Sequence, residues 1–166
     1  MTRLAAIALG SNLSSAWGSP DAALREAITR VTGLGTLRAV STFHETAPVG
    51  YLDQPSFQNA ALLLETELEP AELMAALLEI ERAMGRDRIA TPPKGPRIID
   101  LDLLLIDGLV LATPDLTLPH PALAGRRFVL EPLAEIAPTM IDPASGKTVK
   151  EMLDRLRDIR TLSFLS

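Results

Sequence analysis

Two aspartates two residues apart, Asp100 and Asp102, interrupt the apolar run GPRIIDLDLLLI from Gly95 to Ile106. Such a run reads as a buried central strand. Residues two apart on a strand project from one face, so both carboxylates share a face and Ile99, Leu101 and Leu103 take the other. Neighbouring anions repel, and desolvation makes each costlier. A cation is needed, and Mg²⁺ suits the site because it takes carboxylate oxygens together with phosphate oxygens and water. Arg97, three residues before Asp100, adds positive charge where the strand begins. The competing reading is a D-x-D on the wet face of an antiparallel sheet. The run Leu103 to Ile106 weighs against it, since a strand apolar on both sides is covered on both sides.

The other groups with chemical potential come from separate segments. Glu65, Glu67, Glu69, Glu72, Glu79 and Glu81 fall in a stretch without a base. From Arg82 to Arg97 the balance reverses, with Arg82, Arg86, Arg88, Lys94 and Arg97 against Asp87. A basic segment beside an acidic strand suits a phosphate-rich ligand held with metal. His120, between Pro119 and Pro121, fits either a structural hydrogen bond or a catalytic role. Arg126-Arg127 alone reads as a solvated pair. Asn59 shares a strand face with Phe57, Ala61 and Leu63, so its amide needs partners if buried. A planar heterocycle or the backbone would serve equally. The sequence contains no G-x-x-x-x-G-K-[ST], no G-x-G-x-x-G, no nucleophile elbow and no histidine pair at ligand spacing.

These side chains need a frame. Residues 3–9 read as a first strand ending at Gly10-Ser11-Asn12. Ser19-Pro20 is a helix start, with Leu24, Ile28 and Val31 as its apolar stripe and Gly33 and Gly35 as its stop. Strands follow over 37–44 and 57–66, separated by a long loop with Pro48, Gly50 and Pro55, a length often reserved for function. Pro70 opens a second helix with Leu73, Leu77, Ile80 and Met84 at helical spacing, closed by Gly85. The Pro-rich loop GRDRIATPPKGPR leads into the aspartate strand. Asp107-Gly108 predicts a hairpin turn with 109–112 as return strand, Ala122 to Gly125 a single helical turn, and Val149, Met152, Leu153 and Leu156 a last helix. The first six elements match the split βαβ pattern. The expected fold is α+β, ferredoxin-like βαββαβ, with a mostly antiparallel sheet, an extra hairpin strand and a short C-terminal helix, all in one domain over 1–166.

With 166 residues and 47% hydrophobic content, the chain can build one real core. No apolar run approaches a membrane span, and the N-terminus reads as a strand rather than a signal peptide. The absence of cysteine excludes disulfides and thiolate sites and makes the cytoplasm the expected location. A net charge of −5 argues against nucleic-acid binding.

GSNL at 10–13, ETAPVG at 45–50, DQPSFQNAA at 53–61, IERAMGR at 80–86, GPRIIDLDLLL at 95–105 and LPHPALAGRRFVLEPLAEIAP at 118–138 carry a resemblance. In this order and spacing they resemble the 6-hydroxymethyl-7,8-dihydropterin pyrophosphokinase family of folate biosynthesis, over residues 4 to 154. The resemblance implies diphosphoryl transfer from ATP to the pterin hydroxymethyl group, with AMP released, by a monomer. It implies that Asp100 and Asp102 bind two Mg²⁺ ions. Arg86 and Arg97 match phosphate-contacting arginines of a mobile catalytic loop, and Arg88 a second basic position there. His120, Arg126 and Glu81 match residues at the nucleotide site. For the pterin it implies Asn59 at the ring edge, Phe57 and Phe128 on its faces, and Thr46, Pro48 and Val49 lining the pocket. The segment Arg86 to Pro96 is expected to close over both substrates. Lys94, Pro92-Pro93, Ala47 and Pro121 depart from better-known members and bear on loop closure and adenine contacts. Two further readings use the same residues: a metal-dependent phosphohydrolase, and a ferredoxin-like regulatory module that binds a small ligand.

Overall fold

The computed structural model describes residues 1–13, 15–46, 56–85 and 97–165. The central sheet has strands β1 (Arg3–Ser11), β2 (Thr36–Val40), β3 (His44–Thr46), β4 (Phe57–Thr66) and β5 (Asp100–Ile106). Its order is β2-β4-β1-β5, β3 continues along β4, and every pairing is antiparallel. Helix α1 (Pro20–Val31) joins β1 to β2, and α2 (Pro70–Ala83) joins β4 to β5. This is the expected βαββαβ arrangement, an α+β fold. Among the described residues no helix is long and apolar enough to cross a membrane.

The helix starts follow the local chemistry. Ser19 Oγ accepts from Ala22 N at the head of α1, with Pro20 at the first helical position. At α2 the Glu72 side chain reaches back to Glu69 N in a capping box. Gly85, at φ +99, takes the left-handed conformation that ends α2.

Alternation along the strands divides the core into two layers. Ile7 and Leu9 of β1, Leu62 and Leu64 of β4, and Leu101 and Leu103 of β5 pack against Leu24 of α1 and Leu73 and Leu77 of α2. Ala6, Ala8, Ala61, Leu104 and Leu105 face the other way, toward α3 (Arg127–Ile136) and α4 (Val149–Leu165). A bulge in the β1–β5 register, between Ala6 and Ile7, sets Leu104 and Leu105 on the same side. The apolar run after Asp102 is thereby covered on both faces.

Two expectations change, and one helix is new. The strand over 37–44 is two strands, because Ser41 interrupts the ladder: its hydroxyl accepts from Ala61 N at 2.9 Å and donates to Thr42 O. Asp107-Gly108 does turn, but the return segment β6 (Leu111–Ala112) pairs with β7 (Thr117–Leu118) rather than with β5. The outer edge of β5 is already occupied, at Leu104 O by His120 N (2.6 Å) and at Leu101 N by Glu81 Oε2 (2.7 Å). Helix α3 was not foreseen; Pro132 inside it obscures the helical pattern of RFVLEPLAEI.

Candidate active site

On the α3 side of the sheet lies a cavity of about 390 Å³. Its floor is set by register. His44, Asn59, Gly10 and Asp100 align across four strands, and Ala61, Ala8 and Asp102 form the adjacent row. Strands lie about 4.8 Å apart, so Asn59 and Asp100 are about 10 Å from each other across Gly10. A side chain between them would crowd the site. A Cβ at Gly10 would stand 3.2 Å from Asn59 Oδ1 and 3.8 Å from the Phe57 ring. The roof comes from Gly125 to Val129 at the start of α3, and includes Arg126, Arg127 and Phe128.

The acidic end is organised around β5. Asp100 and Asp102 both line the cavity. Arg97 Nη1 donates to Asp100 Oδ2 at 3.1 Å, and its guanidinium lies 6.0 Å from the Phe57 ring centre. The Arg97 backbone is held on both sides by buried Asn12, whose Oδ1 accepts from Arg97 N (2.8 Å) and whose N–H donates to Arg97 O (3.1 Å). Asn12 belongs to the GSNL motif, and the sequence signal for its role is an amide directly after the end of a buried strand.

At the other end, Asn59 Nδ2 donates to Thr46 Oγ1 at 2.5 Å, and Phe57 pairs with Thr46 across β3 and β4. Phe57, Thr46, Asn59 and Phe128 all line the cavity, with Arg126 5.9 Å from the Phe128 ring centre. Arg127, read from sequence as half of a surface pair, lines it too and also pairs with Glu131 at 2.5 Å.

His120 and Glu81 stand outside the cavity lining. His120 Nδ1 accepts from Ala122 N at 3.1 Å, which leaves the neutral ring's proton on Nε2. Burial pushes its pKa below the ordinary 6.5; Arg126 adds to the shift and Asp100 opposes it. Glu81 is buried at the edge of β5, where it binds Leu101 N between the two aspartates. Arg86, Arg88, Pro48 and Val49, and the expected loop closure, lie outside the described residues.

A family model described as 7,8-dihydro-6-hydroxymethylpterin-pyrophosphokinase (HPPK) matches residues 6–138. The chain belongs to the HPPK family. An HPPK relative, the 2-amino-4-hydroxy-6-hydroxymethyldihydropteridine pyrophosphokinase of Methylorubrum extorquens, is 41% identical over 158 residues, covering 94% of each chain. The Bacillus subtilis protein of the same name is 42% identical over 138 residues, 82% of this chain and 79% of the relative. The folic acid synthesis protein of Schizosaccharomyces pombe is 38% identical over 93% of this chain, which spans only 20% of that longer protein. Among solved structures, Plasmodium falciparum HPPK-DHPS wild type superposes with a TM-score of 0.71 at 13% identity, over 93% of this chain and 45% of that one. At that identity the likeness concerns the HPPK fold alone.

Proposed function

We propose that this chain transfers a diphosphoryl group from ATP to the hydroxymethyl group of 6-hydroxymethyl-7,8-dihydropterin, in folate biosynthesis. One observation carries the reading: a single cavity joins two carboxylates on one strand face to a buried amide and two phenylalanines. The pterin hydroxyl oxygen attacks the β-phosphorus and loses its proton. The bond from that phosphorus to the α–β bridging oxygen breaks, and AMP leaves with the oxygen.

The residues divide this work. Thr46 takes one hydrogen of the Asn59 amide; its oxygen and second hydrogen suit the mixed donor–acceptor edge of a pterin. Phe57 and Phe128 offer faces to a flat ring. Arg97, Arg126 and Arg127 place positive charge along the cavity for the triphosphate. Arg86 and Arg88 are assigned there by family likeness, and neutral His120 is an Nε2–H donor for the nucleotide. Positioning and charge neutralisation are what such a transfer asks of a protein, and no protein nucleophile is needed.

Asp100 and Asp102 form an all-oxygen donor pair that fits Mg²⁺. Among the described residues no further acidic or histidine ligand joins them, so substrate phosphates and water would complete the shell. Bound there, two Mg²⁺ ions would screen the triphosphate and raise the electrophilicity of the β-phosphorus. We read the protein as a cytoplasmic monomer.

Product analysis tests this. Wild type with ATP, Mg²⁺ and the pterin should yield AMP and pterin diphosphate in equal amounts. Asp100→Ala and Asp102→Ala should each lose at least about a hundredfold in rate while unfolding like wild type. ADP as product, or phosphate release without pterin, would replace the proposal with a kinase or a phosphohydrolase. Unimpaired ligand binding and function in Asp100→Ala would favour the regulatory module.

A further inference from the structure

Strand β3 carries Thr46 into the cavity, yet it has only three residues and pairs with β4 on one side. An edge strand that short holds little stability of its own. At the break after β2 and the first residue of β3, one carboxylate gathers two donors and a histidine ring nitrogen. Thr42 N donates to Glu135 Oε2 at 2.5 Å, Thr42 Oγ1 donates to Oε1 at 2.6 Å, and His44 Nε2 stands 3.0 Å from Oε1. The Thr42 hydroxyl and backbone bonds also hold the Glu135 carboxyl below its ordinary pKa.

Glu135 sits near the C-terminal end of α3, whose N-terminal end supplies Phe128 and Arg127 to the roof. His44 pairs with Asn59 on the cavity face of the sheet, and two residues on Thr46 accepts the Asn59 amide. One helix therefore touches the cavity at its first turn and grips the floor's edge strand at its last. A surface ion pair alone contributes little. Here the carboxylate also takes a backbone N–H where the strand ladder is interrupted, and charge-assisted bonds to backbone are stronger.

We propose that Glu135 is a positioning residue for the pterin half of the site: it fixes β3 against α3 and so sets Thr46 and Asn59 relative to Phe128, without itself lining the cavity. The proposal rests on the pterin reading above for its ligand.

The test compares wild type, Glu135→Ala and Glu135→Gln as full chains. Glu135→Ala should raise the KM for the hydroxymethyl pterin roughly tenfold, with kcat and the KM for ATP nearly unchanged. Glu135→Gln keeps the length and one acceptor oxygen and should recover part of the loss. Amide exchange at 44–46 should quicken in Glu135→Ala relative to β1, with no substrate present. Equal rises in both KM values, or unchanged exchange at 44–46, would overturn the proposal. If wild type turns over no pterin, the functional reading fails instead, and the exchange comparison alone decides the clamp.

Discussion

At the scale of single residues, the site depends as much on what is missing as on what is present. Gly10 leaves the gap that separates the amide end of the cavity from its acidic end. Asn59 cannot easily retreat from an added methyl, because its amide is held by Thr46. Gly10→Ala should therefore raise the KM for the pterin with little loss of thermal stability; an unchanged KM would mean that Asn59 has another way to yield. His120 makes a prediction of a different kind. Its pKa is lowered chiefly by burial, so between the folded value and 6.5 the unfolded chain binds the proton more readily. The contribution to stability is complete above about pH 6.5 and is lost as the pH falls through that window. Urea unfolding at about pH 7.5 and about pH 5.5 should show a smaller acid-side loss in His120→Gln than in wild type. Equal losses would count against it.

At the scale of elements, β5 is held from both sides. Asn12, directly after β1, fixes Arg97, and Glu81 on α2 caps the strand's outer edge at Leu101. Leu101 lies between the two aspartates, so its backbone orientation governs how their carboxylates diverge. Glu81→Ala leaves a buried N–H without its partner and should cost about 1–3 kcal/mol in chemical denaturation. Activity should fall in the same variant, while Glu81→Gln, which keeps an acceptor, should lose less. A full-strength Glu81→Ala enzyme would separate the cap from the site.

At the scale of the molecule, the layer that roofs the cavity depends on the last helix. Val149, Met152 and Leu153 of α4 are buried against α3 and the sheet. Fully burying such side chains contributes about 1.5–3 kcal/mol each, so the three together supply about 5–9 kcal/mol. That is comparable with the whole stability of a typical domain, about 5–15 kcal/mol. A chain ending at Lys147 should therefore lack a cooperative unfolding transition by circular dichroism. A cooperative transition near the full-length midpoint would show that α3 holds its place unaided.

Much of this was legible in the chain itself. Strand β4 spans the expected 57–66, Ser19-Pro20 and Pro70 open the two crossover helices, and Asp100 and Asp102 share a face because strand geometry requires it. These are consequences of local chemistry: period, capping and turn residues act over a few positions. What tertiary structure alone decided has another origin. Ser41 breaks a strand only because Ala61 stands opposite it, and the return segment after Asp107-Gly108 leaves β5 only because His120 and Glu81 already bind that edge. Arg127 becomes a cavity residue only because Pro132 is accommodated in a helix laid over the sheet. In the first two of these cases the partner lies at least 16 residues away: Ala61 from Ser41, His120 from Leu104 and Glu81 from Leu101. Periodicity within one segment carries no information about a partner that distant.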